Sequence, residues 1–199
     1  MEADWEFEIG GDAPVIDACW PGFIDLRWTP QSARDLDYRL HNLPEVIQFP
    51  ALAAVLETLN GQHSPMWTAK CDFWPALAPQ DVDAGELDAR PGGCVHAMAC
   101  YLDLLPKSDQ QWTAPPLIEA ACRHICAALH AEPFRSCRVD LVIRRALLAS
   151  GHMDLGITAY ITACGATPGA AQAVLELAMV TFASVLCPAS TVQSEGMGE

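Results

Sequence analysis

Positive charge is what this chain has least of: 11 Lys and Arg stand against 25 Asp and Glu in 199 residues, a formal net charge of −14. A surface this acidic repels phosphate backbones unless its few cations are gathered in one place, so nucleic acid is not an expected partner. An uninterrupted apolar span is also missing. The one near-membrane stretch, Ala170 to Leu186, is broken by Gln172, Glu176, Thr181 and Ser184 and has no flanking Lys or Arg. It reads as a buried helix, with no membrane attachment expected. The opening Met1-Glu2-Ala3-Asp4-Trp5-Glu6 has neither a basic region nor an apolar core, so no signal peptide is expected.

Catalytic spacings are absent as well. There is no Gly-x-Ser-x-Gly elbow, His-Glu-x-x-His, P-loop, Gly-x-Gly-x-x-Gly or Cys-x-x-Cys. These absences remove the easily read enzyme classes and imply no cofactor. They leave open enzymes whose residues meet only in the fold.

Cysteine, by contrast, is abundant: nine residues, an odd number. Most sit inside apolar strings such as Met98-Ala99-Cys100-Tyr101, where a free thiol behaves as a small hydrophobe. That usage fits a reducing, cytoplasmic compartment. Cys122, His124 and Cys126 combine zinc-ligand chemistry with helical spacing. A helix, however, turns His124 about a hundred degrees or more from both cysteines, so packing is the expected role and no metal is assigned. The same holds for His96 with Cys94 and Cys100.

Acid is concentrated early, with 16 Asp or Glu against 5 Lys or Arg in residues 1–90 and 9 against 6 in residues 91–199. Length and half-apolar composition suit a single domain spanning 1–199. Within it, 1–45 reads as an irregular or short-strand N-terminal extension, 46–187 as a helix-and-hairpin core and 188–199 as a flexible tail. The short strands of the extension are expected at Trp5 to Glu8, Val15 to Cys19 and Phe23 to Arg27, where they could extend the same sheet.

Three helices are predicted. The first opens near Pro50, lines up Leu52, Val55, Leu56 and Leu59, and stops at Asn60-Gly61. The second has Thr113 as cap, Pro115 and Pro116 in its first turn, and an apolar stripe of Ile118, Ala121, Cys122, Ile125, Cys126 and Leu129. The third begins at Thr167-Pro168 and runs to about Leu186. Strands are predicted for Trp67 to Trp74, Cys94 to Leu104, Cys137 to Arg145 and Leu155 to Cys164. In the third strand Cys137, Val139, Leu141 and Ile143 alternate with Arg138, Asp140, Val142 and Arg144. Helix-strand-strand thus occurs twice, at 50–104 and 115–164, with Asp72 and Asp140 in corresponding places, as a duplication would leave them. The expected fold class is α+β: a largely antiparallel sheet of four or more strands with helices packed on one face.

The polar side of that sheet is the candidate site. Lys70, Asp72, His96, Arg138, Asp140, Arg144 and Tyr160 are expected to project from it together with Thr162. Arg138 or Arg144 would grip a carboxylate or phosphate, with Trp67 or Trp74 as an aromatic wall. The leading expectation is therefore a non-catalytic binder of a small anionic or amphipathic ligand. Concentrated acid supports an alternative, an inhibitor- or immunity-like module for a basic protein partner. A second alternative is an enzyme with His96 as base, oriented by Asp72 or Asp140. Against all three stands a solvated face whose opposite charges pair across strands, each pair contributing under about 1 kcal/mol. A homodimer covering this face is a further alternative. Trp112, in a polar loop, either plugs the sheet edge or sits at a recognition surface.

Overall fold

The computed structural model describes residues 1–18, 20, 22–30, 35–107 and 114–188. In chain order the elements are β1 (Glu2–Glu8), β2 (Ile16–Asp17), α1 (Leu36–His41), α2 (Pro44–Gln48), α3 (Leu52–Asn60), β3 (Met66–Trp74), β4 (His96–Pro106), α4 (Pro115–His130), β5 (Cys137–Leu147), β6 (Met153–Gly165) and α5 (Pro168–Leu186). A 3₁₀ turn at Pro79–Asp81 lies between β3 and β4. The fold is α+β. Its sheet runs β1-β5-β6-β4-β3, with the short β2 pairing beside β1 along β5. All pairs are antiparallel except β1 and β2, which run parallel to β5.

Local chemistry accounts for most of the boundaries. In α5 the Thr167 hydroxyl accepts from the Ala170 amide at 3.2 Å, and Pro168 occupies the first turn. Helix α4 likewise carries its prolines in the first turn. Its predicted cap, Thr113, lies outside the described residues, as do Trp112 and the tail from 189 onward. Helix α3 ends where predicted, but Gly61 has a φ of −59°, so its freedom to turn left-handed is not what stops the helix. Asn60 supplies the reason. Fully buried, it donates to the Leu56 carbonyl at 2.8 Å and the Thr68 hydroxyl at 2.7 Å, and accepts from the Thr68 amide at 3.0 Å. The last residue of α3 is thereby fastened to the edge of β3.

One apolar core fills the space between sheet and helices. Val139, Leu141 and Ile143 of β5, Ile157 and Ile161 of β6, and Cys100, Leu102 and Leu104 of β4 meet Leu52, Leu56 and Leu59 of α3, Ile118 and Leu129 of α4, and Leu175, Met179 and Phe182 of α5. Each such side chain contributes about 1.5–3 kcal/mol by leaving water. Helix α5 is the one described helix long and apolar enough to cross a membrane, with mean hydropathy 1.6. Here one stripe of it, from Ala171 to Leu186, packs into the core, while Leu177 and Val180 face outward.

Residues 1–45 match the expected extension in part. Strand β1 begins at Glu2 and belongs to the main sheet, with Met1 and Ala3 in the core. The α-amino group is anchored as well, donating to the Glu132 carbonyl at 2.5 Å. The expected strand at 15–19 shrinks to Ile16–Asp17, and 23–27 forms none. Helices α1 and α2 occupy 36–48, where no element was predicted. Their apolar positions are too few for a periodic signal, and tertiary packing of Leu36, Leu40 and Val46 holds them.

Candidate functional site

Away from the helices, the sheet is covered at both ends and open between them. At one end the segment carrying Ile16 and Ala18 closes over Trp67, Ala69, Leu105 and Ala146. At the other, Leu87 lies on Ala97 and Cys164, with Leu77, Val82 and Cys94 around it. Register aligns the residues between these two clusters. Asp4 pairs with Asp140, Asp140 with Tyr160, Tyr160 with Tyr101, and Tyr101 with Asp72. Five strands thus contribute one residue each to a single row, about 19 Å long at the usual strand spacing.

The row has an approximate dyad between Tyr101 and Tyr160. Exchanging these tyrosines exchanges Asp72 with Asp140, and two residues earlier on each outer strand stand Lys70 and Arg138. The two helix-strand-strand segments therefore place matching chemistry at matching positions. The rings form a continuous aromatic surface, with Trp74 to Tyr101 at 5.5 Å and Tyr101 to Tyr160 at 6.0 Å between centroids.

The cations of this face are already engaged. Arg144 donates to Glu8 from Nε at 2.8 Å and Nη2 at 2.5 Å, and from Nη1 to the Tyr160 hydroxyl at 3.0 Å and the Thr158 hydroxyl at 3.2 Å. Burial opposes its charge, but Tyr160 and Glu8 prevail and hold the guanidinium pKa above its ordinary value. Arg138 meets Asp140 at 2.6 Å, Asp4 at 3.8 Å and Glu86 at 3.9 Å. Lys70 stands 5.9 Å from the centre of the Tyr101 ring, and Tyr101 raises its pKa.

Carboxylates are in excess. Among the described strand residues, Asp4, Glu6, Glu8, Asp72, Asp103 and Asp140 share the face with Lys70, Arg138 and Arg144. Asp103, 9% exposed, accepts from Thr158 at 2.6 Å, yet burial raises its pKa against the pull of that bond, Arg144 and Lys70. Burial likewise raises Asp140, and repulsion from Asp4 and Glu86 adds to it despite Arg138. Between β1 and β5 the face opens into a groove of about 430 Å³, lined by Asp4, Glu6, Glu8, Asp140 and Tyr160 and by the two paired arginines.

Of the seven site residues predicted, Lys70, Asp72, Arg138, Asp140, Arg144 and Tyr160 lie on this face. His96 does not. It pairs with Gly165 and shares the parity of Met98 and Cys100, which places it on the helix side at the strand's exposed start. It therefore cannot be oriented by Asp72 or Asp140 across the sheet. The parity of β4 also identifies the members that the sequence reading missed, Tyr101 and Asp103, the polar residues at alternate positions of an otherwise apolar strand. Glu8 and Asp4 had no such signal, because nothing local announces that β1 pairs in parallel with β5. Cys122 and Cys126 are buried in the α4 stripe while His124 is exposed. Among the described residues, no group of three or more His, Cys, Asp or Glu is placed to hold a metal ion.

No family model, curated protein or solved structure matches this chain.

Proposed function

We propose that the protein is a non-catalytic binding domain whose polar sheet face receives cationic groups presented by a basic protein partner. The observation that carries this reading is the row itself: carboxylates stand at both ends, tyrosines between them, and every cation nearby is bound to the protein's own groups. An anionic ligand would have to strip Arg144 from Glu8 or Arg138 from Asp140. A cation meets carboxylates in excess. Burial chiefly, with a smaller repulsion from Asp4 and Glu86, raises the pKa of Asp140, and an incoming ammonium or guanidinium would offset both. The same surplus disfavours nucleic acid.

A small amphipathic ligand on the same face is the second reading, supported by the contiguous Trp74, Tyr101 and Tyr160 rings. The eight described cysteines are free, in keeping with a proposed cytoplasmic setting.

Titration with an oligolysine peptide tests the main reading. Saturable binding that weakens with added salt and is lost in the Asp4→Asn/Asp140→Asn double variant is expected. Binding unchanged in that variant, or absent at low salt, would overturn it. Light scattering of the free protein decides the homodimer, which would bury this face and mask the peptide site.

A further inference from the structure

We infer that a second site, a cavity beside β3, binds a small molecule with an apolar body and an ammonium head. The cavity measures about 330 Å³, at the lower end of the range of small-molecule sites, about 300–1,000 Å³.

Its floor is the outer edge of β3 and is held rigidly. Asn60 fixes Thr68 through two hydrogen bonds, to its hydroxyl and from its amide, and holds to α3 through a third to the Leu56 carbonyl. A register shift between Thr68 and Lys70 then bends the strand, as bulges beside binding sites do. One wall is the Trp20 indole, whose Nε1 donates to the Ala69 carbonyl at 3.4 Å, with Ile24 beyond it. Leu43 and Pro44 at the start of α2 form the other. The lining is therefore largely apolar, and a ligand enters a preorganised slot.

Charge at the mouth selects the head group. Glu45 and Asp72 both reach the cavity, and the negative charge of Glu45 is felt inside: burial chiefly, then Glu45, pushes the Cys71 thiol up to about 12. Lys70 is the cation at the rim, but its ammonium is drawn onto Tyr101 on the sheet face. Two carboxylates therefore meet the ligand and favour an ammonium over a carboxylate of the same shape. This site shares Lys70 and Asp72 with the polar face but lies apart from the groove between β1 and β5, and it does not depend on that reading.

Titration of the full chain with n-octylamine, n-octanol and octanoate at neutral pH, followed by backbone amide NMR, tests the inference. Octylamine is expected to saturate and to shift the amides of Ile24 and of Ala69 to Asp72, binding about tenfold tighter than octanoate, with octanol between. Glu45→Gln should bring octylamine close to octanol. Ile24→Trp should abolish binding of all three; because Ile24 is 40% exposed, this variant is expected to fold, with its amide spectrum as the check. If Ile24→Trp disturbs the fold, the wild-type shift map still decides. Shifts confined to β1 and β5 or scattered over the acidic surface, equal affinity for amine and carboxylate, or no saturable binding would each overturn the assignment.

Discussion

Glu8 and Arg144 face each other in register across the parallel pair of β1 and β5, and one carboxylate oxygen takes both guanidinium hydrogen bonds. They lie 136 residues apart, so the contact ties the first strand of the chain to the second half of the fold. The partners are unequal. Arg144's side chain is 13% exposed and also serves Thr158 and Tyr160, whereas Glu8's is 41% exposed. Glu8→Gln is therefore expected to cost about 1 kcal/mol, since water replaces much of what is lost. Arg144→Gln should cost about 2–3 kcal/mol, because it strands Glu8 and two hydroxyls and removes the charge that steadies Asp103. Urea unfolding of both variants checks the order; equal losses would mean that the outer ion pair carries the whole effect.

Asp103 makes stability depend on pH in an unusual direction for a carboxylate. Burial raises its pKa, so the folded chain holds this proton more tightly than the unfolded chain. Its contribution is therefore full at acid pH and is lost as pH rises from about 4 through the raised value. Asn at this position can still accept from Thr158 and never ionises. The stability of Asp103→Asn relative to wild type should accordingly increase between acid and neutral pH. Unfolding curves at both pH values give the comparison, and a difference that stays constant would show that Asp103 ionises freely in the fold.

How much of this was legible in the sequence depends on whether the information was local. Arg138, Asp140 and Arg144 alternate with Val139, Leu141 and Ile143, so period-two reading placed them on the wet face without knowledge of any partner. Lys70 and Asp72 followed the same rule. His96 shares the parity of Met98 and Cys100, whereas Tyr101 and Asp103 carry the wet parity of β4, and in a mostly apolar strand that parity is hard to read locally. Glu8, Asp4 and the β1–β5 pairing were out of reach, because a parallel neighbour far away in sequence leaves no turn signal. The cavity beside β3 was equally hidden, since its walls come from the 20–26 segment, α2 and β3, and only the fold brings them together.

Gly156 marks where the cover over one end of the sheet comes closest. A Cβ there would lie 2.7 Å from Leu105 Cδ2, 2.8 Å from the Leu104 carbonyl oxygen and 2.9 Å from Ile16 Cδ1. The two side chains can rotate, but the carbonyl belongs to the β4–β6 ladder and cannot. Gly156→Ala should destabilise by about 1–3 kcal/mol even though alanine suits a strand better than glycine does. Thermal unfolding measures the loss. Adding Ile16→Ala relieves one of the three contacts, so the double variant should fall short of the sum of the singles; strict additivity would place the strain in the contacts with β4.

Asn60 provides the sharpest test of how helix and sheet edge are joined. It is fully buried, and its amide spends both donor and acceptor capacity on Leu56 and Thr68. Leucine has similar bulk and removes all three bonds, leaving the Thr68 amide and hydroxyl unpaired beside the β3 edge. Unsatisfied buried groups cost about 1–3 kcal/mol each, so Asn60→Leu should lose at least about 2 kcal/mol despite its greater hydrophobicity. Asn60→Asp keeps the acceptor for the Thr68 amide but replaces the donor to Leu56 with an oxygen, and should also destabilise, more at neutral than at acid pH, since a protonated acid can donate. Hydrogen exchange locates the damage: the Thr68 amide should lose protection in Asn60→Leu while the amides of β5 and β6 retain theirs. Uniform loss across the sheet would mean that α3 and β3 are held by packing alone and that Asn60 merely completes their hydrogen bonding.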